Sequence, residues 1–202
     1  MLKKKDFAEI KNLFKSLPDY QALSLDQSKI ISEGQMLVLN YHMPAHLRMC
    51  NWKLLYTLDR DGYSYINFFE RLSGVDETIL IVEDTMGHKF GALCTGTWNE
   101  KRGFQGDGYS WVFTFHDSED LKLWPATGLH EMYQHGDSHG LIIGGSDDKE
   151  HHSALVIMND FSGGHSGHSL TYDNEVLCFH NPGSSECADF KVLRFEVWSF
   201  DI

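Results

Sequence analysis

The sequence contains no uninterrupted apolar run of 18 residues, so no segment is expected to cross a membrane as a helix. Basic residues are also few, because 17 lysines and arginines stand against 29 acidic residues and give a formal charge of −12. Nucleic acids and anionic membranes bind basic faces, so neither is expected as the main partner. The basic start MLKKKDF leads into no apolar stretch, which argues against a secretory signal.

Cysteine is scarce, and its positions form neither a CxxC pair nor a dense framework: Cys50, Cys94, Cys178 and Cys187. Reduced thiols and a cytoplasmic location are therefore expected. Scavenging of oxidants by one of these thiols would require a thiolate of lowered pKa.

What is abundant is apolar and aromatic sequence, at 42% and 13% of 202 residues, which is enough for one folded domain with a sizeable core. Helix signals gather in the first third. Residues 6–17 combine capping-box spacing with apolar side chains on one helical face. A second helix is predicted from near Ser32 to before Pro44, and a third over residues 64–72, with Ile66, Phe69 and Leu72 on one side.

Strand signals dominate the rest of the chain. Residues 79–82 form a short apolar run typical of a strand buried on both faces, and a turn at residues 84–87 leads to a return strand over residues 90–94. Further strands are predicted over residues 109–115, 141–143, 154–158 and 192–200, whereas residues 144–153 and 159–169 look like irregular loops. Consecutive strands without helices between them favour an α+β domain of two packed antiparallel sheets with flanking helices.

The segment GFQGDGYSWVFTF, residues 103–115, could be a phosphate-binding glycine loop, but aromatic residues alternate with smaller ones directly after its glycines. A strand therefore follows instead of a helix N-terminus, and the Lys-Ser/Thr pair of a P-loop is missing.

Histidine is the residue type that most suggests a metal site, since eight of the twelve histidines lie between residues 130 and 180. A zinc site could draw on His151, His152, His165 and His168, but no cysteine or HExxH helix accompanies them, and solvated loop histidines are the favoured explanation. Ser166, with Asp160 and Asp173 nearby in sequence, could be a nucleophile, but the GxSxG elbow is absent. No catalytic, cofactor-binding or metal-binding residue is assigned from the sequence.

Several stretches together resemble the TLDc domain family, which includes the oxidation-resistance proteins. They are the opening SEGQM at 32–36, WKLLYTLDRDGYS at 52–64, the strand–turn–strand of 79–92, GFQGDGYSWVFTF at 103–115, GHS with TYDN in residues 164–174, and FEVWSF at 195–200. Asp61 stands where the family usually has histidine, and Trp111 where phenylalanine is usual. Residues 146–153 replace most of the usual glycine run with charge.

The resemblance implies a TLDc-like domain over residues 31–202, preceded by a helical extension over residues 1–30. It implies a sandwich of two antiparallel sheets and a role in oxidative-stress resistance. It also implies binding to the peripheral subunits of the vacuolar-type proton ATPase, with regulation of its assembly or activity, so that membrane contact is indirect. No catalytic residue comes with the resemblance, and the expected module is non-enzymatic. The alternative is a metal-dependent or thiol-based antioxidant enzyme.

Overall fold

A computed structural model describes residues 28–48, 50–99, 103–116, 120–145, 152–178 and 187–201. The helix predicted over residues 6–17, and with it most of the expected extension, lies outside the described residues. Within them are three helices: α1 (Glu33–His42), α2 (Leu58–Asp61) and α3 (Tyr65–Leu72). No described helix is long and apolar enough to cross a membrane.

Helix α1 begins and ends where the sequence predicts. The Ser32 side chain accepts a hydrogen bond from the Gln35 amide, and the Gln35 side chain accepts one from the Ser32 amide, which completes the capping box. Met43 before Pro44 is extended, and the helix ends there.

Helix α3 is confirmed in position, and of its predicted apolar face Leu72 is buried and Phe69 partly buried, but Ile66 is not. The Ser64 side chain caps it, and Phe68 and Leu72 are buried. Ile66 is 72% exposed. Ile66 and Phe68 are two positions apart on the helix, which corresponds to a rotation of about 200°. A helix that buries Phe68 therefore turns Ile66 outward.

The described residues contain ten strands, namely β1 (Asn51–Thr57), β2 (Thr78–Asp84), β3 (Lys89–Cys94), β4 (Trp111–His116), β5 (Asp120–Pro125), β6 (Gln134–Asp137), β7 (Gly140–Ile143), β8 (Leu155–Met158), β9 (Gly163–Gly167) and β10 (Cys187–Asp201). They are hydrogen-bonded in the order β5-β4-β3-β2-β10-β9-β8-β7-β6, with β1 also paired to β10. Every pairing is antiparallel. The predicted α+β class is confirmed.

The long strand β10 joins the two halves of this sheet, which are β1–β5 on one side and β6–β9 on the other. Residues 187–191 pair with β9, whereas the rest of the strand pairs with β2 and β1. The register shifts between Val192 and Arg194, and Leu193 is exposed at this bulge. Beyond Leu193, residues 195–199 are all buried, so this part of β10 is covered on both faces.

The halves share one core. Buried side chains from both halves form a single cluster, including Val82 and Phe195 from one half and Leu141 and Ile157 from the other. The opposite face of the first half packs against α1, in a second cluster that includes Met36. Since β2, β3 and β4 are covered on both faces, most of their residues are buried without alternation, whereas β1 and β5 keep exposed or half-buried positions.

One prediction about the later chain is wrong. Residues 163–167, expected in an irregular loop, form strand β9. Strand β5, which begins at Asp120, was not predicted. Strand β9 is hard to recognise because three of its five residues are glycine. The glycines are required there, since a Cβ on Gly164 would overlap the Val156 carbonyl oxygen on the neighbouring strand.

Candidate functional site

Two of the family-like segments, residues 103–115 and 164–174, meet at one buried tyrosine. The Tyr172 hydroxyl lies 3.0 Å from Ser110 Oγ, at the end of the glycine-rich stretch, and 3.3 Å from the Tyr133 carbonyl oxygen. Burial raises the pKa of Tyr172 well above its usual value, so the phenol stays neutral and available as a donor. Tyr172 therefore links the segment before β4 with the segment before β6.

A second set of bonds fixes the chain on the other side of Tyr172. Thr171 Oγ1 accepts from the Gly145 amide at 3.2 Å and donates to the Gly145 carbonyl at 3.0 Å. Asn174 accepts from the Ser169 hydroxyl at 3.0 Å and donates to the Gly167 carbonyl at 2.8 Å. These polar groups are buried and structurally engaged, so they stabilise the loops instead of facing a substrate.

Residues 105–110 and 126–133 run side by side and are joined at both ends. At one end the Ala126 amide donates to the Ser110 carbonyl over 3.1 Å. At the other, Gln105 and Gln134 exchange two backbone hydrogen bonds of 2.8 and 3.1 Å. We call the face formed by these two segments the two-loop surface. Gly106 within it has φ +103°, a conformation that side chains disfavour, which explains one glycine of the quoted motif.

The two-loop surface is apolar and acidic. Tyr109 and Leu129 are 67% and 79% exposed. Asp107 and Glu131 supply acidic groups in the two segments, and burial followed by these two carboxylates raises the pKa of Tyr133. Tyr109 was expected within the strand, but its amide donates to Asp107 Oδ1 in a turn, and β4 begins only at Trp111.

A second exposed apolar region lies at the corner between α2 and α3. Tyr63 is 60% exposed and Ile66 72% exposed, and the nearby side chains Arg60 and Arg71 are roughly half-exposed. We call these four residues the corner surface. Its charged groups are basic, the opposite of those on the two-loop surface.

Asp61, which departs from the family pattern, holds this corner together. Its fully buried carboxylate lies 2.7 Å from Arg60 and 2.9 Å from Arg71, and it accepts from the Thr57 amide at 3.0 Å. Burial alone would raise the pKa of Asp61, but these bonds and the two arginines lower it overall.

The histidine candidates that the structure describes, His152, His165 and His168, are not assembled into a metal site. His165 on β9 lies opposite Asp189 on β10, and burial lowers its pKa despite that acid. His168 instead pairs with Asp173 at 2.9 Å, and its carbonyl accepts from the His152 amide. Among the described residues, no three or more histidines, cysteines or acids are placed to hold a metal ion. Two of the late histidines lie outside the described residues: His151 and His180.

Ser166 has a structural role. Its hydroxyl is buried, donates to the Ala154 carbonyl at 2.6 Å and accepts from the Leu177 amide at 2.9 Å. Both bonds are to backbone groups, so its oxygen faces no base. A nucleophilic role for Ser166 is not supported by this geometry.

Three of the four thiols are disfavoured as reactive groups. Cys50, Cys94 and Cys178 are buried, and burial raises the pKa of each, to about 12 for Cys178. Cys187 is half-buried. Oxidant scavenging by a thiolate therefore has little support at the three buried positions.

A buried carboxylate escaped the sequence reasoning. Glu196 is 1% exposed, and it accepts bonds from Ser28 Oγ at 2.8 Å, the Lys29 amide at 2.7 Å and the Trp198 indole at 3.1 Å. It fixes the chain at Ser28, where the described residues begin. Trp198 lies two positions away within FEVWSF and was visible in the sequence, but the other two partners, Lys29 and Ser28, lie 167 and 168 positions away.

Comparison with known proteins agrees with the motifs assembled around Tyr172. A profile described as the TLDc domain matches residues 24–201. Oxidation resistance protein 1 of Rattus norvegicus is 28% identical over 177 residues, covering 87% of this chain and 20% of that protein, and the Homo sapiens protein is similar to the same degree. MTOR-associated protein MEAK7 of Gallus gallus is 27% identical over 170 residues, covering 81% of this chain and 34% of that protein. The chain thus spans a fifth to a third of the length of these relatives. Because the profile covers most of the chain, the chain belongs to the TLDc domain family.

Proposed function

We propose that this chain is a non-enzymatic interaction module that acts in oxidative-stress resistance by binding the peripheral part of the vacuolar-type proton ATPase and regulating its assembly or activity. Membership of the TLDc family and similarity to proteins named for oxidation resistance support the stress context. The pump as the partner rests on the resemblance of the sequence motifs to this family.

The observation that carries the non-enzymatic part is the use of the polar motif residues. Ser110, Ser166, Thr171 and Asn174 are buried and hydrogen-bonded within the domain. A catalytic group must reach a reacting atom at hydrogen-bond distance, and these groups instead order the loops. Because these polar groups are used inside the domain, the ordered loops expose a surface that can bind a partner, and this favours recognition over catalysis.

The test is a pull-down of the purified chain with intact vacuolar-type ATPase, with ATP hydrolysis assayed on the same sample. Binding at a fixed stoichiometry with altered hydrolysis is expected. Two matched variants would identify the surface: Tyr109→Ser with Leu129→Ser, and Tyr63→Ser with Ile66→Ser. Each removes two exposed apolar side chains, so neither is expected to unfold the domain. A folded chain that leaves the pump unbound and its hydrolysis unchanged would refute the proposal.

The antioxidant alternative makes a different prediction. It requires protection from peroxide to depend on the cysteines or on the late histidines. Protection that survives in a cysteine-free variant, and in His165→Ala with His168→Ala, supports the interaction module. Loss of protection in either folded variant, with pump binding intact, supports the enzyme.

A further inference from the structure

Two of the four cysteines lie close together where β10 begins. Cys178 and Cys187 are separated by eight residues in the sequence. The Cys178 Sγ atom lies 3.5 Å from the carbonyl oxygen of Ala188, the residue that follows Cys187 on β10. Cys50 lies before β1 and Cys94 at the end of β3, so neither shares this position.

One residue of β9 holds the chain beside both cysteines. Ser166 pairs with Ala188 across the antiparallel β9–β10 ladder, and its Oγ atom accepts a hydrogen bond of 2.9 Å from the Leu177 amide. Cys178 follows Leu177, and Cys187 precedes Ala188. The two cysteines therefore extend from chain segments that meet at Ser166, which favours the short Cα–Cα distance of about 4.4–6.8 Å that a disulfide requires.

Cys187 is placed to make the final adjustment. It is the first residue of β10, and among the described strands only β9 pairs with residues 187–191. A residue at the end of a strand, paired on one side, is held by fewer ladder hydrogen bonds than an interior residue. The Cys187 side chain can therefore turn toward Cys178 without breaking the pairing of β10 with β2.

The two thiols differ in exposure, which gives each a distinct part in a reaction with an oxidant. Cys187 is half-buried, whereas Cys178 is buried. Burial first, and nearby negative charges after it, raise the pKa of Cys178 to about 12, so this thiol stays protonated. A small oxidant such as hydrogen peroxide therefore reacts first at Cys187.

We propose that Cys178 and Cys187 are a redox modification site, at which hydrogen peroxide converts the two thiols into a reversible disulfide. The Cys187 sulfur attacks the peroxide, so that an S–O bond forms, the O–O bond breaks and the leaving hydroxide takes the proton of the Cys187 thiol. The Cys178 sulfur then attacks the sulfenic sulfur. The S–S bond forms, the S–O bond breaks and the second hydroxide takes the Cys178 proton. Two electrons pass from the thiols to one peroxide, which leaves as two water molecules.

The disulfide would tie the first residue of β10 to a segment that both halves of the sheet hold. The Leu177 amide is bound by Ser166 on β9, and the Leu177 carbonyl accepts a hydrogen bond of 2.8 Å from Thr114 on β4. Each chain reacts once and is restored by a thiol reductant, so the modification records exposure to peroxide without catalytic turnover. This inference concerns the thiols of the chain and does not depend on the proton pump being its partner.

Peroxide treatment of the folded full chain, followed by alkylation of the remaining thiols and mass spectrometry without reduction, tests the bond directly. Cleavage after glutamate separates residues 176–186, which contain Cys178, from residues 187–196, which contain Cys187. The two peptides are expected to be recovered as one linked species that dithiothreitol separates. On a non-reducing gel the oxidised chain is expected to stay monomeric.

Cys178→Ser and Cys50→Ser form a matched pair of variants. Each of these buried thiols donates to a backbone carbonyl, that of Ala188 at 3.5 Å or that of His46 at 3.2 Å, and serine keeps a donor at either position. Cys178→Ser is expected to abolish the linked peptides, whereas Cys50→Ser should leave their yield unchanged. Circular dichroism before and after oxidation confirms that each chain is folded.

The sulfenic acid provides a second readout. Dimedone, which traps sulfenic acids, is expected to label Cys187, and the labelling should increase in Cys178→Ser because no second thiol consumes the intermediate. Links from Cys187 to Cys50 or Cys94, links between two chains, or a yield that both serine variants lower equally would each overturn the proposal. Oxidation of Cys187 in the folded native chain without any linked peptide would overturn it as well.

Discussion

Replacing Glu196 by glutamine tests how the buried carboxylate stabilises the fold. In the native chain one carboxylate oxygen accepts from the Lys29 amide, and the other accepts from both Ser28 and Trp198. Glutamine keeps one acceptor oxygen and replaces the other by an amide NH₂, which cannot accept. The Ser28 hydroxyl can rotate to receive a bond, but the indole N–H of Trp198 is a donor only.

The expected cost follows from that single unsatisfied donor. Leaving a buried N–H without an acceptor costs about 1–3 kcal/mol. For a chain of this size, 1 kcal/mol lowers Tm by about 2–4 °C, so Glu196→Gln is expected to lower Tm by about 2–12 °C. Thermal unfolding followed by circular dichroism measures this shift. In a Trp198→Phe background the added cost of the glutamine should largely disappear, because no indole donor remains.

The loss of stability in Glu196→Gln, relative to the native chain, should also depend on pH. Burial raises the pKa of Glu196 above its usual 4.5, although its three hydrogen bonds oppose the shift. The folded state therefore holds this proton more tightly than the unfolded chain does. The resulting stabilisation is complete below pH 4.5 and lost as pH rises through the raised pKa. Glutamine has no titrating proton, so the stability of the variant lacks this pH dependence. The stability difference between the native chain and the variant is therefore expected to shrink as pH rises. An unchanged Tm, or equal cost in both backgrounds, would refute this account of Glu196.

Three further predictions follow from single contacts. Gly106→Ala should destabilise the fold by about 1–2 kcal/mol, because φ is +103° there. Gly108→Ala should cost less than about 1 kcal/mol, because its Cβ would meet only a tyrosine oxygen at 3.9 Å. Urea unfolding of the two variants measures the difference. Asp61→Ala should destabilise the fold by about 1–3 kcal/mol, because it leaves a backbone donor and two half-exposed arginines without their acceptor. A variant as stable as the native chain in urea unfolding would contradict the buried network. A thiol reagent such as DTNB should modify Cys187 in the folded chain well before the three buried cysteines, and rapid reaction of all four would contradict their burial.

Local signals were sufficient for α1 and α3, whereas the short helix α2 was not predicted. The capping box of Ser32 and Gln35 and the cap at Ser64 lie within three residues of the groups that they bind, so the sequence displays the whole interaction. The β2–β3 hairpin was likewise predictable, because its turn residues and both strands are adjacent in the chain.

Signals that depend on distant packing were misread. Ile66 looks like a core residue in sequence, but it is exposed because the rotation of α3 is set by the packing of Phe68 and Leu72. Tyr109 looks like part of a strand, but the local turn at Asp107 places it before β4, and it is exposed. Strand β9 shows no apolar alternation, since its glycines make room for the backbone of adjacent strands.

The sequence by itself determined the α+β class, the positions of α1 and α3, the main hairpin and, through the order of its motifs, membership of the TLDc family. Only the tertiary structure decided which polar groups are consumed by hydrogen bonds and which loops form a surface. The hydroxyl of Ser166 bonds to residues 11 and 12 positions away, and Glu196 reaches 167 and 168 positions along the chain. A periodic pattern reports contacts within a few residues, whereas contacts across a sheet depend on the register of strands that no local pattern encodes.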